Sequence, residues 1–286
     1  MDQHFNEPNP LMQYFRRPKV YVTLPSGGNF YPPGALEYPE NGELGVMAMT
    51  AKDELSMKTP DALLNGQATV DVIQSCVPAI KDAWKMPSID LDAILIAIRI
   101  ATYGETLTIE TKVPVTGEDK DFEVDLRQLL NKLVMEKYKP EMTVGDMQVA
   151  IRPLNYQEFT ESSLKTFEEQ RIFSMLNSDD VPDGEKLARF NDSFSKLTDI
   201  TINVLYQSVH SITIGDTTVT DRQHIREFID NTDKDFFKSV TQHLEHERDK
   251  FKIEPLKATS SEEEIERGAP AEYEVPITFD QANFFG

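Results

Sequence analysis

The sequence predicts a mostly helical α+β fold, and three observations carry that expectation. From Ile89 to Tyr103 apolar residues occupy nearly every side of a helix, which places it inside a core. Over residues 106–126 the hydrophobic period falls to two, the period of paired strands. From Tyr156 onward apolar residues recur at intervals of three and four, as they do in packed helices. Strands are therefore expected in the N-terminal region and helices in the C-terminal half.

Residues 1–18 are polar and punctuated by Pro8, Pro10 and Pro18, with Phe5, Tyr14 and Phe15 set among them; they form an arm. Residues 19–152 make up a mixed α/β region. Lys19 to Leu24 alternates like a strand, Pro25-Ser26-Gly27-Gly28 turns, and Pro32-Pro33-Gly34 bends the chain before a second strand at Gly45 to Thr50. Thr59-Pro60-Asp61 is a helix start with proline at the first helical position, and Gly66 is its stop. Val70, Ile73 and Val77 keep helical spacing until Pro78. Pro87-Ser88 opens the apolar helix and Gly104 closes it.

On that helix Ala93, Ala97 and Ala101 form a smooth face for close packing, and Asp92 and Arg99, two turns apart, are expected to be buried partners. Leu107, Ile109 and Thr111 alternate, as do Phe122, Val124 and Leu126, which predicts a hairpin with a wide connection. Its loop, Lys112 to Gly117, has the outline of a zinc knuckle. Val113 and Thr116 stand where thiolates would be, so the hairpin resembles a metal-free zinc ribbon. A helix at Asp125 to Tyr138 and a strand at Asp146 to Arg152 follow.

Residues 153–254 read as a helical region with a small hairpin. Tyr156, Phe159, Leu164 and Phe167 share one face of a helix that ends before Asp179. Leu187, Phe190, Phe194, Leu197, Thr201 and Val204 trace a bundle-like seam. Ser211 to Thr220 turns through Gly215-Asp216, and Thr232 with Asp235 resembles a capping box. Residues 255–286 are a tail with a terminal strand. Tyr273, Val275, Ile277 and Phe279 alternate, and Phe284-Phe285 follows; such a strand suits a sheet edge, in its own body or in a neighbour.

Composition narrows the function. The formal charge of −20, from 49 acidic and 29 basic side chains, has the wrong sign for nucleic acid or anionic lipid. Arg16, Arg17 and Lys19 are too few to reverse that field. Cys76 is the one cysteine, so no intramolecular disulfide or cysteine-rich metal site can form. The N-terminal sequence lacks the apolar core of a signal peptide. The longest apolar run, Ala93 to Ala101, contains Arg99 and falls short of the ~20 residues that span a bilayer. A soluble protein in a reducing cytoplasm is expected.

No motif supplies catalysis. His243 and His246 with Glu247 follow neither zinc-peptidase order, and solvated side chains are the expected reading. Asp179 to Gly184 fails as a calcium loop, because Val181 and Phe190 stand where oxygen ligands are needed. Gly27-Gly28 lacks the lysine of a phosphate loop. Ser26, Ser208 and Cys76 have no base positioned by any motif.

Three stretches in register carry a resemblance. They are Leu24-Pro25-Ser26-Gly27-Gly28-Asn29-Phe30-Tyr31, Met49-Thr50-Ala51-Lys52-Asp53-Glu54, and the run from Leu63-Leu64-Asn65-Gly66 through Pro87-Ser88-Ile89-Asp90-Leu91-Asp92 to Arg99-Ile100-Ala101-Thr102-Tyr103-Gly104-Glu105. Over about residues 19–150 the chain resembles the T4-like baseplate protein family of contractile-tailed phages. The resemblance implies a structural or assembly role at the baseplate hub, exercised through protein–protein contacts, with no enzymatic activity, cofactor or metal. Other baseplate and hub proteins are the implied partners, and a homo-oligomer is allowed; nucleic acid and a membrane span are not expected. The alternatives are a hub or tail assembly chaperone absent from the mature virion and, remotely, a metal-dependent hydrolase using His243 and His246. The protein would reside in the host cytoplasm during assembly and, if retained, in the virion baseplate. Candidate partner contacts are Phe5, Tyr14 and Phe15 at one end, and Tyr273, Val275, Ile277, Phe279, Phe284 and Phe285 at the other.

Overall fold

A computed structural model describes residues 10–58, 66–176 and 183–277 of the chain. It is α+β, with helix outweighing strand. The expected helix start at Thr59-Pro60-Asp61 lies outside the described residues, as do Phe5, Phe279, Phe284 and Phe285.

The first core is built around the apolar helix. Strands β1 (Val20–Val22) and β2 (Leu44–Val46) pair antiparallel, with Val20 opposite Val46. Helix α1 (Ala51–Met57) begins at a capping box in which Thr50 and Asp53 satisfy each other's free N–H groups. Helix α2 (Gln67–Cys76) buries Val70, Val72, Ile73 and Cys76. Short 3-10 turns at Ala83–Lys85 and Ser88–Asp90 lead into α3 (Leu91–Tyr103), where eight residues, including Ala93, Ala97 and Ala101, are buried. Gly104 ends α3 at φ 97°, in the left-handed region that glycine enters without a Cβ clash.

Strands β3 (Thr106–Lys112) and β4 (Asp119–Asp125) form the expected hairpin, with Leu107 opposite Val124 and Ile109 opposite Phe122. Asp125 caps α4 (Leu126–Met135), which lays Leu126, Leu130 and Leu133 on the same core.

The second core forms around one antiparallel sheet in the order β5 (Glu141–Val144), β6 (Met147–Ile151), β7 (Val209–Ile214), β8 (Thr217–Val219). Its β6–β7 pairing places Val149 opposite Ile212, so strands on both sides of residue 153 share one sheet. Helices α7 (Arg222–Asn231) and α8 (Lys234–Asp249) cover it with Ile225, Ile229, Phe236 and Val240. The cap of α8 is Asp233, whose carboxylate accepts from the Phe236 N–H at 2.9 Å, rather than the expected Thr232. Asp233 sits three residues before that N–H, within reach of a short side chain.

Between the two halves of this sheet, α5 (Tyr156–Leu176) and α6 (Asp183–Ser208) run as a long antiparallel pair. The base of α5 is fastened to the first core. Ser88 N–H donates to the Leu154 carbonyl and Tyr156 N–H to the Met86 carbonyl, both at 2.8 Å. Tyr156 stacks on Trp84 with centroids 5.4 Å apart. Gly66, at φ 78°, lies so close beneath that a Cβ there would come within 3.0 Å of the Trp84 ring.

The tail returns to the first core. Strand β9 (Leu256–Thr259) pairs antiparallel with β10 (Glu272–Val275) across the short helix α9 (Glu262–Glu266). Val275 and Ile277 are buried, and Ile277 joins the first core.

Candidate functional site

Two polar clusters hold the first core in shape, and both arise from the stretches singled out in the sequence. Asp90 is fully buried. Its carboxylate accepts from the Ser26 N–H at 2.7 Å, the Ser26 hydroxyl at 2.6 Å and the Tyr31 hydroxyl at 3.0 Å. The Leu24–Tyr31 loop is thereby tied to the entrance of α3. Burial pushes the Asp90 pKa up to about 6, against the lowering effect of the Ser26 and Tyr31 bonds. Burial and the neighbouring Asp90 charge raise the Tyr31 phenol further still.

The second cluster centres on Asp53, whose carboxylate accepts from Thr50 N–H, the Thr50 hydroxyl and the Ser75 hydroxyl. Arg16 closes it. The guanidinium lies 3.3 Å from Asp53 and donates to the Ala48 and Ser75 carbonyls, each at 2.6 Å. Cys76 lies beneath, 3.7 Å from the same guanidinium, and burial pushes its thiol up to about 11. That value suits a packed thiol and not a nucleophile. Arg16 therefore pins the start of the chain to the body. Just before it a 3-10 turn, Pro10–Tyr14, presents Leu11, Met12, Tyr14 and Phe15 to solvent, with Tyr14 78% exposed and Phe15 57% exposed.

The C-terminal candidates are distributed differently. Tyr273 lies edge-on to Phe122 at 6.4 Å, and Val275 stands opposite Leu256 in the β9–β10 pair. Lys120 bonds Glu264 at 3.1 Å, and Arg267 pairs with Glu118, so the tail is fastened to the β3–β4 hairpin. With Val275 and Ile277 committed to this chain's own core, Tyr14 and Phe15 are the exposed members of the predicted contact set among the described residues.

Three expectations are corrected. Asp92 and Arg99 form no ion pair with each other. Seven residues of helix separate them by about 10.5 Å along the axis, too far for these side chains to close. Arg99 instead lies over the Tyr103 ring at 4.6 Å, while burial raises the Asp92 pKa to about 6. The likeness of β3–β4 to a zinc ribbon also finds no support. Val113 N–H donates to the Glu118 carbonyl and Gly117 N–H to that of Val113, both at 2.9 Å, so backbone bonds close the loop. Val113 is buried as an apolar plug.

The third correction concerns the seam on α6. Leu187, Phe190 and Phe194 are 63%, 46% and 62% exposed, and Phe167 on α5 is 62% exposed. What lies between the two helices here is polar: Ser193 and Glu169 are buried, with Lys196 3.7 Å from Glu169. Hydrophobic spacing was right about which residues share a face, but that face looks outward. Toward the body the stripe continues into a groove of about 460 Å³ between α5, α6 and α8, lined by Ile89, Tyr138, Phe159, Val204, Leu244 and Arg248.

His243 Nε2–H donates to the Lys139 carbonyl, 3.1 Å away. Glu247 is buried, accepting from Lys139 N–H at 2.8 Å and from Lys250 at 2.5 Å. These contacts fasten α8 to the segment before β5. Among the described residues no three His, Cys, Asp or Glu side chains group as metal ligands, and no helix is long and apolar enough to cross a membrane.

Two polar clusters are thus locked within the first core, while aromatic side chains stand exposed beside Arg16 and along α5 and α6. The chain belongs to the family described as T4 bacteriophage base plate protein, whose family model matches residues 18–266. Membership points to a structural role in a phage baseplate, among other baseplate proteins. Comparisons with curated proteins and with solved structures find no match. The match spans both cores and reaches α9, well beyond the stretch that the sequence motifs alone support.

Proposed function

We propose that the protein is a non-enzymatic structural subunit of the baseplate hub in a contractile-tailed phage, and that the aromatic turn at Pro10–Phe15 is its contact with a neighbouring hub protein. The observation that carries this reading is the contrast at Arg16. One side of it is fixed by hydrogen bonds to Ala48 and Ser75, while the residues just before it expose Leu11, Met12, Tyr14 and Phe15. Large aromatic side chains on an anchored backbone lose little freedom on binding and make strong anchors in a partner's pocket.

Removing residues 1–15, which spares Arg16, is expected to leave melting behaviour near that of the full chain while abolishing assembly of infectious tails. Mass spectrometry of purified, tail-complete particles then separates the subunit from a departing assembly chaperone. A fixed copy number in the particle supports the subunit. Abundance in lysates with absence from particles would establish the chaperone instead.

A further inference from the structure

The described chain carries an unmatched projection and an unmatched recess. The projection is the 3-10 turn Pro10–Tyr14 with Phe15, where Leu11, Met12, Tyr14 and Phe15 are 57–78% exposed. The recess is the groove of about 460 Å³ between α5, α6 and α8. That volume falls within the roughly 300–1,000 Å³ of sites that enclose a ligand. The turn does not occupy the groove of its own chain. Arg16 is pinned to Ala48 and Ser75 on the first core, and the residues before it stand in water.

The chemistry of the two surfaces matches. Ile89, Val204 and Leu244 give the groove apolar walls, and α5 adds the hydroxyls of Ser162, Ser163 and Thr166. Such a mixed lining suits a phenyl ring beside a phenol, which is what Phe15 and Tyr14 offer. The four exposed side chains hold on the order of 500 Å² of apolar surface, and the walls they would cover bring the total to roughly 1,000 Å², where specific interfaces begin.

Charge points to a second copy as the source of the turn. On a chain of net charge −20, the basic cluster of Arg16, Arg17 and Lys19 immediately follows the aromatic residues. Two copies repel over most of their surfaces, and this segment is the part of one that the acidic field of the other draws in. Arg17 is exposed two residues after Phe15, and Glu245 is exposed on the α8 wall of the groove. Neither is engaged in an ion pair among the described residues. Arg248, on the same wall, is already paired with Asp249, 3.6 Å away.

We infer that copies of this chain associate head to tail, the turn Pro10–Phe15 of one seated in the α5–α6–α8 groove of the next, with Arg17 against Glu245. The inference rests on the reading of the turn as a contact and names the neighbour that receives it. Because the two surfaces differ, every open assembly keeps one free turn and one free groove at its ends, unless it closes as a ring.

Sedimentation velocity and native mass spectrometry of the full-length chain over a wide concentration range test it. The wild-type chain is expected to form reversible assemblies that extend past two copies or close as a ring. Tyr14→Ser with Phe15→Ser removes the projection, and Thr201→Trp, at an exposed position lining the groove, fills the recess. Each should raise the dissociation constant about thirtyfold or more and leave the circular dichroism spectrum unchanged. Mixed together, the two defective chains keep one intact turn and one intact groove between them, and should form a one-to-one pair and nothing larger. Arg17→Glu should weaken association, and Glu245→Arg in the same chain should restore it. A wild-type chain monomeric throughout, assemblies indifferent to both substitutions, or a mixture that stays monomeric would overturn the inference. If the wild-type chain is monomeric and removal of residues 1–15 still abolishes tail assembly, the turn contacts a different protein; the contact reading then stands and the head-to-tail inference falls. Failure of Glu245→Arg to restore the Arg17→Glu chain would overturn the seating of Arg17 against Glu245.

Discussion

Helices α3 and α6 are both marked as core-forming by their apolar residues, and only α3 is enclosed by its own chain. Around α3, all but the Asp92–Arg99–Tyr103 stripe is packed among apolar neighbours that include β1, α2 and α4, and the buried Asp90 at its entrance receives three hydrogen bonds. On α6 the phenylalanines face solvent, and the buried Glu169 beside it leaves Oε2 with no hydrogen-bond partner among the described residues. Hydrophobic periodicity states which side of a helix seeks cover. It does not state whether the cover is encoded in the same chain.

The largest effects should therefore fall on the enclosed region. Ile94 and Ile98 are completely buried, and alanine at either is expected to cost about 2–5 kcal/mol in denaturant unfolding, according to how far the cavity collapses. Asp90→Ala should cost about 2–3 kcal/mol, because the Ser26 N–H and the Ser26 and Tyr31 hydroxyls lose their acceptor in a buried site.

A smaller effect, with a definite pH signature, is expected at Asp92. Its folded pKa of about 6 lies above the unfolded value near 3.9, so the folded state binds more protons between these values. Stability from this group is greatest below about pH 4, falls as pH rises through about 6, and is level above that. Asp92→Asn should remove its share of that decline and raise stability at neutral pH by on the order of 1 kcal/mol, partly offset by the lost attraction of a carboxylate to the first turn of α3. Thermal melts of both chains across that pH range measure it. On the open region the effect should nearly vanish. Phe194→Ser is expected to change stability by no more than about 0.5 kcal/mol. A cost several times larger would mean that α6 is enclosed after all, and the contrast with α3 would collapse.

Much of the enclosed region was legible because its signals are local. Gly104 marks the end of α3, alternation from Leu107 and from Phe122 sets the β3–β4 register, and the α2 spacing of Val70, Ile73 and Val77 holds. The missing parts depend on distance along the chain. Asp90 looks like one more polar residue at a helix entrance until Ser26, 64 positions earlier, folds onto it. Arg16 reads as one member of a small basic cluster, and its role appears only when Ala48, Asp53 and Ser75 converge on it. The β6–β7 pairing is likewise invisible locally, since α5 and α6 intervene. The exposure of Tyr14 and Phe15 was readable because prolines around them forbid a local core. The α6 stripe was readable in position but not in direction.

The stacking of Trp84 on Tyr156 gives the molecule a built-in optical gauge. Trp84 is the one tryptophan in the chain, and the ring it touches is the first residue of α5. Its emission colour and polarisation therefore sample a single spot, the root from which the helical pair leaves the first core. A strain imposed far out on that pair, by a bound neighbour or by incorporation into a larger particle, reaches the first core through this root. The native fluorescence of an unlabelled sample can follow it there, without any dye or added reporter group.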